Sequence, residues 1–179
     1  MDPASLCRAL QGQFPDGVLA THTYRGDATA TVGSKDLLEV LRVLKSEPIF
    51  QMNFLVDLTA VDWLKFSDSS QPKGAFSNYG VPLRPPAHME AQAPWPGPAS
   101  SDRFEVVYHL FSLTHKHRIR IKIPVAESSL EVPSVVPLWA TADWFEREVW
   151  DMFVIRFTGH PNLKRILMYQ QFEGHPLRK

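Results

Sequence analysis

The first quarter of the chain alternates between the apolar spacing of helices and that of strands. Residues 2–14 place Leu6 and Leu10 four positions apart, which predicts a short opening helix with both leucines on one face. Residues 17–34 predict two short strands joined by a turn at Gly26, because glycine favours tight turns. A second helix is predicted next, since leucines recur at three- and four-residue intervals, at Leu37, Leu38, Leu41 and Leu44.

The middle of the chain is divided by its capping and turn residues. Ser34 is expected to cap the second helix, because a serine side chain can accept a hydrogen bond from the first free amides of a helix. Residues 50–63 are β-rich and largely apolar, which predicts a central strand covered on both faces. From about 67 to 101, proline, serine and glycine are crowded without any period, which predicts a long insertion instead of a regular element.

Strand spacing resumes after this segment. Residues 102–113 and 117–125 predict a second hairpin with a polar connection. In its second strand, isoleucines alternate with a basic stripe formed by Arg118, Arg120 and Lys122. Such a stripe is more often a solvated sheet face than an electrostatic contact with an acidic partner, and the sequence leaves both interpretations open.

An amphipathic helix is predicted from about Ala142 to Phe153. Its apolar face is formed by Ala142, Phe145, Val149 and Met152. Asp143, Arg147 and Asp151 stand four residues apart and are expected to form a ladder of ion pairs. Glu146 shares a neighbouring face with Trp150, and Glu148 lies beside Trp144. A helix that presents carboxylates and large aromatic residues outward is better suited to a protein interface than to water.

Composition narrows the class of protein. Lysine and arginine together number 19, equal to aspartate and glutamate, so no overall charge draws the chain toward nucleic acid or an anionic membrane. Cys7 is the single cysteine and cannot form an internal disulfide, which favours an intracellular protein. Neither a membrane-spanning apolar run nor a secretory signal is present, so a membrane association would depend on a partner.

Catalytic patterns are weak in this sequence. Glu146 and Glu148 are two positions apart on a helix and point in different directions, unlike a paired-carboxylate site. Glu146, Asp151, His160 and His175 could be imagined as metal ligands, but their spacing matches no metal motif. The histidines of residues 115–117 are compatible with metal binding and are more often solvated. The residues by themselves favour a binding or scaffolding module.

The carboxyl-terminal third carries a resemblance to a known family. Residues 146–167, the closing segment 174–179 and the upstream stretches 57–63, 103–122 and 132–144 together resemble the 30-kDa subunit family of respiratory complex I, the NADH:quinone oxidoreductase. The matched spacing runs through Glu146-Arg147-Glu148, Asp151, His160, Lys164 and the aliphatic pair Ile166-Leu167. The resemblance covers most of the chain outside the proline-rich insertion.

The resemblance implies an α+β fold with a mixed or antiparallel sheet, helices packed on it and an extended tail from about residue 156, all in one domain spanning 1–179. It also implies a non-catalytic peripheral-arm subunit that binds no cofactor itself, in a complex that uses FMN, iron–sulfur clusters, NADH and quinone. The expected partners are the 49-kDa quinone-site subunit and neighbouring iron–sulfur subunits. The implied location is the cytoplasmic side of a bacterial inner membrane.

The residues expected to be structural or interfacial follow from the same resemblance. They are Glu146, Arg147, Glu148, Trp150, Asp151, His160, Lys164, Arg165, His175 and Arg178. Two alternatives are the equivalent subunit of a membrane-bound nickel–iron hydrogenase or related complex and, more remotely, a metal-dependent hydrolase. Val154 departs from the family, which usually has glycine there. Because a β-branched residue does not easily adopt a positive φ, we expect the helix to end differently or the glycine to serve only close packing.

Overall fold

Seven strands and three helices follow one another in the part of the chain that the computed structural model describes, residues 1–64 and 102–178. The elements are α1 (Pro3–Gln13), β1 (Val18–Tyr24), β2 (Asp27–Val32), α2 (Leu37–Ser46), β3 (Phe54–Asp62), β4 (Phe104–Phe111), β5 (Arg118–Val125), β6 (Glu131–Pro133), α3 (Ala142–Phe153) and β7 (Arg156–Thr158). The proline-rich insertion predicted at 67–101 lies outside the described residues.

The main sheet has five strands in the order β1-β2-β5-β4-β3. Strands β2 and β5 run parallel, and the other neighbours in this sheet are antiparallel. Helix α1 packs against β1 and β2, and α3 packs against β3. Strands β6 and β7 form a separate parallel pair beside α3. The α+β class with a mixed sheet is therefore confirmed.

Local sequence patterns account for much of this fold. Asp2 caps α1 by accepting a hydrogen bond from the Ser5 amide at 3.0 Å, and Leu6 and Leu10 are fully buried. Gly26 adopts a φ of 83° in the turn between β1 and β2, as the hairpin prediction requires. The second hairpin forms between β4 and β5. The predicted bounds of the last helix, Ala142–Phe153, are confirmed.

Two predictions about the first half of the fold are wrong. Helix α2 begins at Leu37 with Asp36 as its N-cap, because a turn in which the Asp36 amide bonds to Gly33 holds Ser34 outside the helix. Strand β3 is the last strand of its sheet, not a central one, and Phe54 and Val56 are exposed on its uncovered face. An apolar run predicted coverage of both faces, but the helices here cover only one.

The basic stripe on β5 does not form a uniformly solvated face. Lys122 is buried and pairs with Glu105 at 2.8 Å. Arg118 and Arg120 lie more openly and each approaches Asp27 at 3.7 Å. The expectation of a solvated face fails at Lys122, because β5 is the central strand and its neighbours shield that end of the stripe.

Helix α3 ends in a left-handed residue despite the absence of glycine. Val154 has φ 67° and ψ 9°, and its amide donates to the Trp150 carbonyl at 3.0 Å. The expectation that valine would end the helix differently is wrong. The left-handed conformation costs an L-residue roughly 1–2 kcal/mol, so the surrounding contacts must hold Val154 in place.

We expect Val154→Gly to raise the free energy of unfolding by about 1 kcal/mol, because glycine adopts this conformation without a Cβ clash. The measurement is urea unfolding of the isolated chain. Val154→Ala is the matched control, since alanine also loses the branched side chain but keeps the Cβ. A glycine variant no more stable than the alanine variant would contradict backbone strain at this position.

Candidate functional site

Asp151 joins α3 to the tail, residues 159–178. Its side chain is fully buried, and Oδ2 accepts hydrogen bonds from the amides of Ile166, Leu167 and Met168 at 3.1, 2.9 and 2.8 Å. Arg165 Nη1 donates to Oδ1 at 2.5 Å. We call Asp151, Arg165 and these three amides the clasp. Each charge-assisted hydrogen bond of this kind contributes about 1.5–3 kcal/mol.

The ionised form of Asp151 is favoured inside the clasp. Burial by itself raises the pKa of this carboxyl. The three amide groups and Arg165 outweigh burial and hold the pKa of Asp151 below its ordinary value. Asp151 is therefore ionised at neutral pH.

Further hydrogen bonds hold the tail against the same helix. Arg165 also donates to the carbonyls of Phe172 and Gly174, at 3.0 and 3.2 Å. His175 Nδ1 lies 2.8 Å from the Asp151 carbonyl and must donate to it, because a carbonyl oxygen only accepts. The predicted tail therefore folds back on α3 of its own chain. Its two turns use Gly159 and Gly174 at φ values of 81° and 98°.

Glu146 is fully buried, which corrects the prediction that it faces outward. Its carboxylate accepts hydrogen bonds from Ser134 Oγ at 2.7 Å and from the Val135 amide at 2.6 Å. Burial raises the pKa of Glu146 to about 7, although these two bonds oppose the shift. The carboxylate anchors the segment before α3 to the helix itself.

His160 lies against the first turn of α3. The Asn162 amide donates to His160 Nδ1 at 3.0 Å, so that nitrogen carries no proton. The proton therefore sits on Nε2, which lies 3.2 Å from the Asp143 carbonyl and 3.1 Å from Asp143 Oδ1. Glu146 Oε2 is 4.0 Å away. This geometry makes His160 a connector between helix and tail.

The expected ladder of ion pairs along α3 does not form. Arg147 donates to the carbonyls of Lys164 and Arg165 at 3.1 and 3.3 Å instead of pairing along the helix. Its guanidinium also lies over the ring of Trp144 at 5.5 Å. The tail binds charged groups of α3 that the helical spacing had predicted to pair with one another.

The remaining expected site residues are more exposed. Glu148 is exposed on α3, whereas Trp150 is only half-buried. The Lys164 carbonyl accepts the hydrogen bond from Arg147, and Arg178 forms an ion pair with Glu127 at 3.1 Å. Sequence reasoning missed Ser134, because no local spacing connects it to Glu146. Large exposed apolar side chains on α3 and the tail are Trp144, Leu167, Tyr169 and Leu177, with exposures of 63%, 56%, 65% and 50%.

The arrangement around α3 does not resemble a metal site. Among residues 1–64 and 102–178, no three histidine, cysteine, aspartate or glutamate side chains are grouped to hold an ion. The carboxylates of Asp151 and Glu146 are already bonded to amides, Arg165 and Ser134. His115 and His117 bond the carbonyls of Pro48 and Phe50 at 2.8 and 2.9 Å. The structure therefore gives the hydrolase alternative no support.

Within the described ranges, none of the helices has the length and apolar character needed to cross a bilayer.

The α+β fold is shared with chains of known structure. The trypsin-resistant fragment (1-134) of Nqo5 superposes with a TM-score of 0.62 at 26% identity, covering 88% of this chain and 98% of that chain. An archaeal respiratory membrane complex, the membrane-bound sulfane sulfur reductase, contains a chain with the same fold at a TM-score of 0.56 and 19% identity, covering 88% of this chain and 71% of that one.

The chain belongs to the family described as respiratory-chain NADH dehydrogenase, 30 Kd subunit, whose model matches residues 30–179. The NADH-quinone oxidoreductase C subunit of Citrifermentans bemidjiense is 40% identical over 95% of this chain and 83% of its own length. That of Roseiflexus sp. is 38% identical over 100% and 83%. The family assignment confirms the resemblance, and it does not favour the hydrogenase alternative.

Proposed function

We propose that this chain is a non-catalytic subunit of the peripheral arm of NADH:quinone oxidoreductase that buttresses the 49-kDa quinone-site subunit. In this role it binds no cofactor itself. FMN, iron–sulfur clusters, NADH and quinone belong to the other subunits, and neighbouring iron–sulfur subunits are further partners. The chain would lie on the cytoplasmic side of a bacterial inner membrane, attached only through the complex.

The proposed docking surface, on α3 and the tail, rests on one observation. A buried network fixes the tail against α3, yet this unit leaves Trp144, Leu167, Tyr169 and Leu177 half or more exposed. Complete burial of such a side chain contributes about 1.5–3 kcal/mol. A tail held rigidly also loses little conformational entropy when a partner covers it. Both properties suit a preorganised interface.

The test replaces Trp144 and, in a second variant, Trp150 with alanine in a tagged chain in its native host. We expect Trp144→Ala to reduce the recovery of partner subunits and NADH:quinone activity from gently solubilised membranes, because aromatic anchors dominate protein interfaces. Trp150→Ala is expected to do the same despite its partial burial. Mass spectrometry of the co-purified subunits and the melting temperature of each isolated variant are the readouts.

Leu19→Ala is the matched control, since Leu19 is 60% exposed on β1, away from α3. Normal assembly of the Trp144→Ala variant, with its fold intact, would overturn the proposed docking surface. Recovery of the parent chain without flavin- and iron–sulfur-containing partners would overturn the proposed function. An equal loss of partners in the control would show that the effect is not specific to α3 and the tail.

A further inference from the structure

A second surface lies on the face of the main sheet opposite α3. It is a groove of about 310 Å³ at the end of the sheet where β3, β4 and β5 meet. Phe54, Phe111 and Arg118 form one row across these strands, as the strand register requires. Val56 and Leu113 complete the apolar side, and both are about half exposed. Leu55, between Phe54 and Val56 on β3, is buried in the core together with the apolar face of α3, so the exposed side of the strand and the groove lie on the opposite face from the docking surface on the tail.

The polar side of the groove is cationic. Arg118 and Arg120 both lean toward Asp27, but each nitrogen–oxygen distance is 3.7 Å, too long for a direct hydrogen bond. Arg120 donates one bond, to Thr29 Oγ1 at 3.3 Å, and Arg118 donates none to the described residues. Most of the ten N–H donors that two guanidinium groups carry are therefore available to a ligand.

Neighbouring groups leave the positive charge in excess. His109 lines the groove, and its pKa is lowered by burial and then by Arg120, which keeps the ring neutral near pH 7. Asp57 faces His109 across the β3–β4 ladder but does not line the groove. A smaller depression of about 160 Å³ adjoins through Asp27 and Arg118 and adds Lys116. Three cations, Arg118, Arg120 and Lys116, thus stand against two carboxylates, Asp27 and Asp57, on this face of the sheet.

We propose that this groove binds an acidic segment of another subunit of the complex, one that places an apolar side chain beside Phe54 and a carboxylate between Arg118 and Arg120. The inference rests on the proposed assembly. Charge complementarity identifies the occupant, because a carboxylate would use guanidinium donors that Asp27 reaches only at long range. The apolar row supplies the other part of the recognition, because without a partner two of its large side chains remain exposed to water.

The test places a photo-crosslinking benzoylphenylalanine at Phe54 in the full tagged chain, assembled in its native host. After irradiation of the purified complex, the crosslinked peptide is identified by mass spectrometry. We expect a peptide from another subunit with aspartate or glutamate next to the crosslinked position. The same amino acid at Leu19, exposed on β1, is the control and is expected to give no such product.

Charge reversal then tests the electrostatic half. Arg118→Glu with Arg120→Glu should reduce the crosslink about tenfold or more, because like charges would oppose each other across the contact. Arg118→Glu alone, at a side chain 67% exposed, gives a variant with little risk to folding and should show a smaller reduction. Arg8→Glu, on the surface of α1, is the matched control. Replacement of the partner's carboxylate by lysine should restore the crosslink to the reversed chain.

The outcomes separate this inference from the function on which it rests. Crosslinks from Phe54 that reach only this chain, a lipid or a small molecule would overturn the groove as a protein contact. A crosslink that persists after both reversals would overturn the acidic occupant. If the parent chain recovers no partner subunits at all, the proposed function fails, and this inference fails with it. Normal recovery of partners without a Phe54 crosslink would overturn the inference alone.

Discussion

Asp151→Asn is expected to release the tail from α3 and to lower the free energy of unfolding by about 3–5 kcal/mol at neutral pH. The change keeps the shape of the side chain but removes its charge. It leaves the Arg165 guanidinium, only 16% exposed, facing the NH2 group of asparagine, which is a donor and not an acceptor. The three backbone N–H groups would then bond a neutral amide oxygen in place of a carboxylate oxygen. The loss should appear first in the tail.

Two measurements distinguish local release from global unfolding. Trypsin should cut the variant rapidly after Lys164 and Arg165, whereas the parent chain should resist, because a held backbone cannot enter the protease. Urea unfolding gives the global change. Glu148→Gln is the matched control, since Glu148 is an exposed carboxylate on the same helix. Equal trypsin resistance in the Asp151 variant and the control would contradict a clasp that depends on charge.

Glu146→Gln is expected to remove a pH dependence of stability. The folded-state pKa of Glu146 is about 7, above its ordinary value of 4.5. A carboxyl with a raised pKa binds its proton more tightly in the folded state, so stability declines as pH rises from about 4.5 to 7. The decline is on the order of 3 kcal/mol. Glutamine can accept from the Val135 amide and donate to Ser134 Oγ without carrying a charge.

The measurement is urea unfolding between pH 5 and pH 8. Relative to the Glu146→Gln variant, the parent chain should lose stability over this range, and the variant should become the more stable of the two at pH 8. His22, His109 and His117, whose pKa values are lowered by burial, add the opposite slope to both proteins, so the difference between the two profiles reports Glu146. Glu39→Gln, at an exposed position on α2, should follow the parent. Asp151 does not interfere, because its lowered pKa affects stability only in stronger acid, below the ordinary value of 3.8. Parallel profiles for all three proteins would contradict a buried, titrating Glu146.

Local sequence patterns predicted the helices and strands of this fold better than they predicted what packs around each of them. The spacing of Ala142, Val149 and Met152 defined α3 because those side chains meet within one helix. The exposed face of β3 could not be predicted, because apolar residues on an edge strand look the same in sequence as those on a central one. Position in a sheet depends on which distant strands pair.

In the candidate site, too, the sequence predicted the helix correctly but not the partners of its charged side chains. The sequence located the charged helix, but it paired Asp143, Arg147 and Asp151 with one another. In the fold their partners lie 14 or more residues away in the tail, where closer contacts and burial make stronger bonds than exposed helical pairs. Glu146 was misplaced for a related reason, since Ser134 and Val135 turn an expected surface carboxylate into a buried one.

Asp151 holds the tail largely through main-chain groups. All three N–H groups that its Oδ2 binds belong to the backbone of Ile166, Leu167 and Met168, and almost any residue except proline supplies such a group. Substitution at Leu167 can therefore alter what the tail presents to a partner while its attachment to α3 persists. Anchoring and recognition occupy the same short segment, yet each can vary without the other.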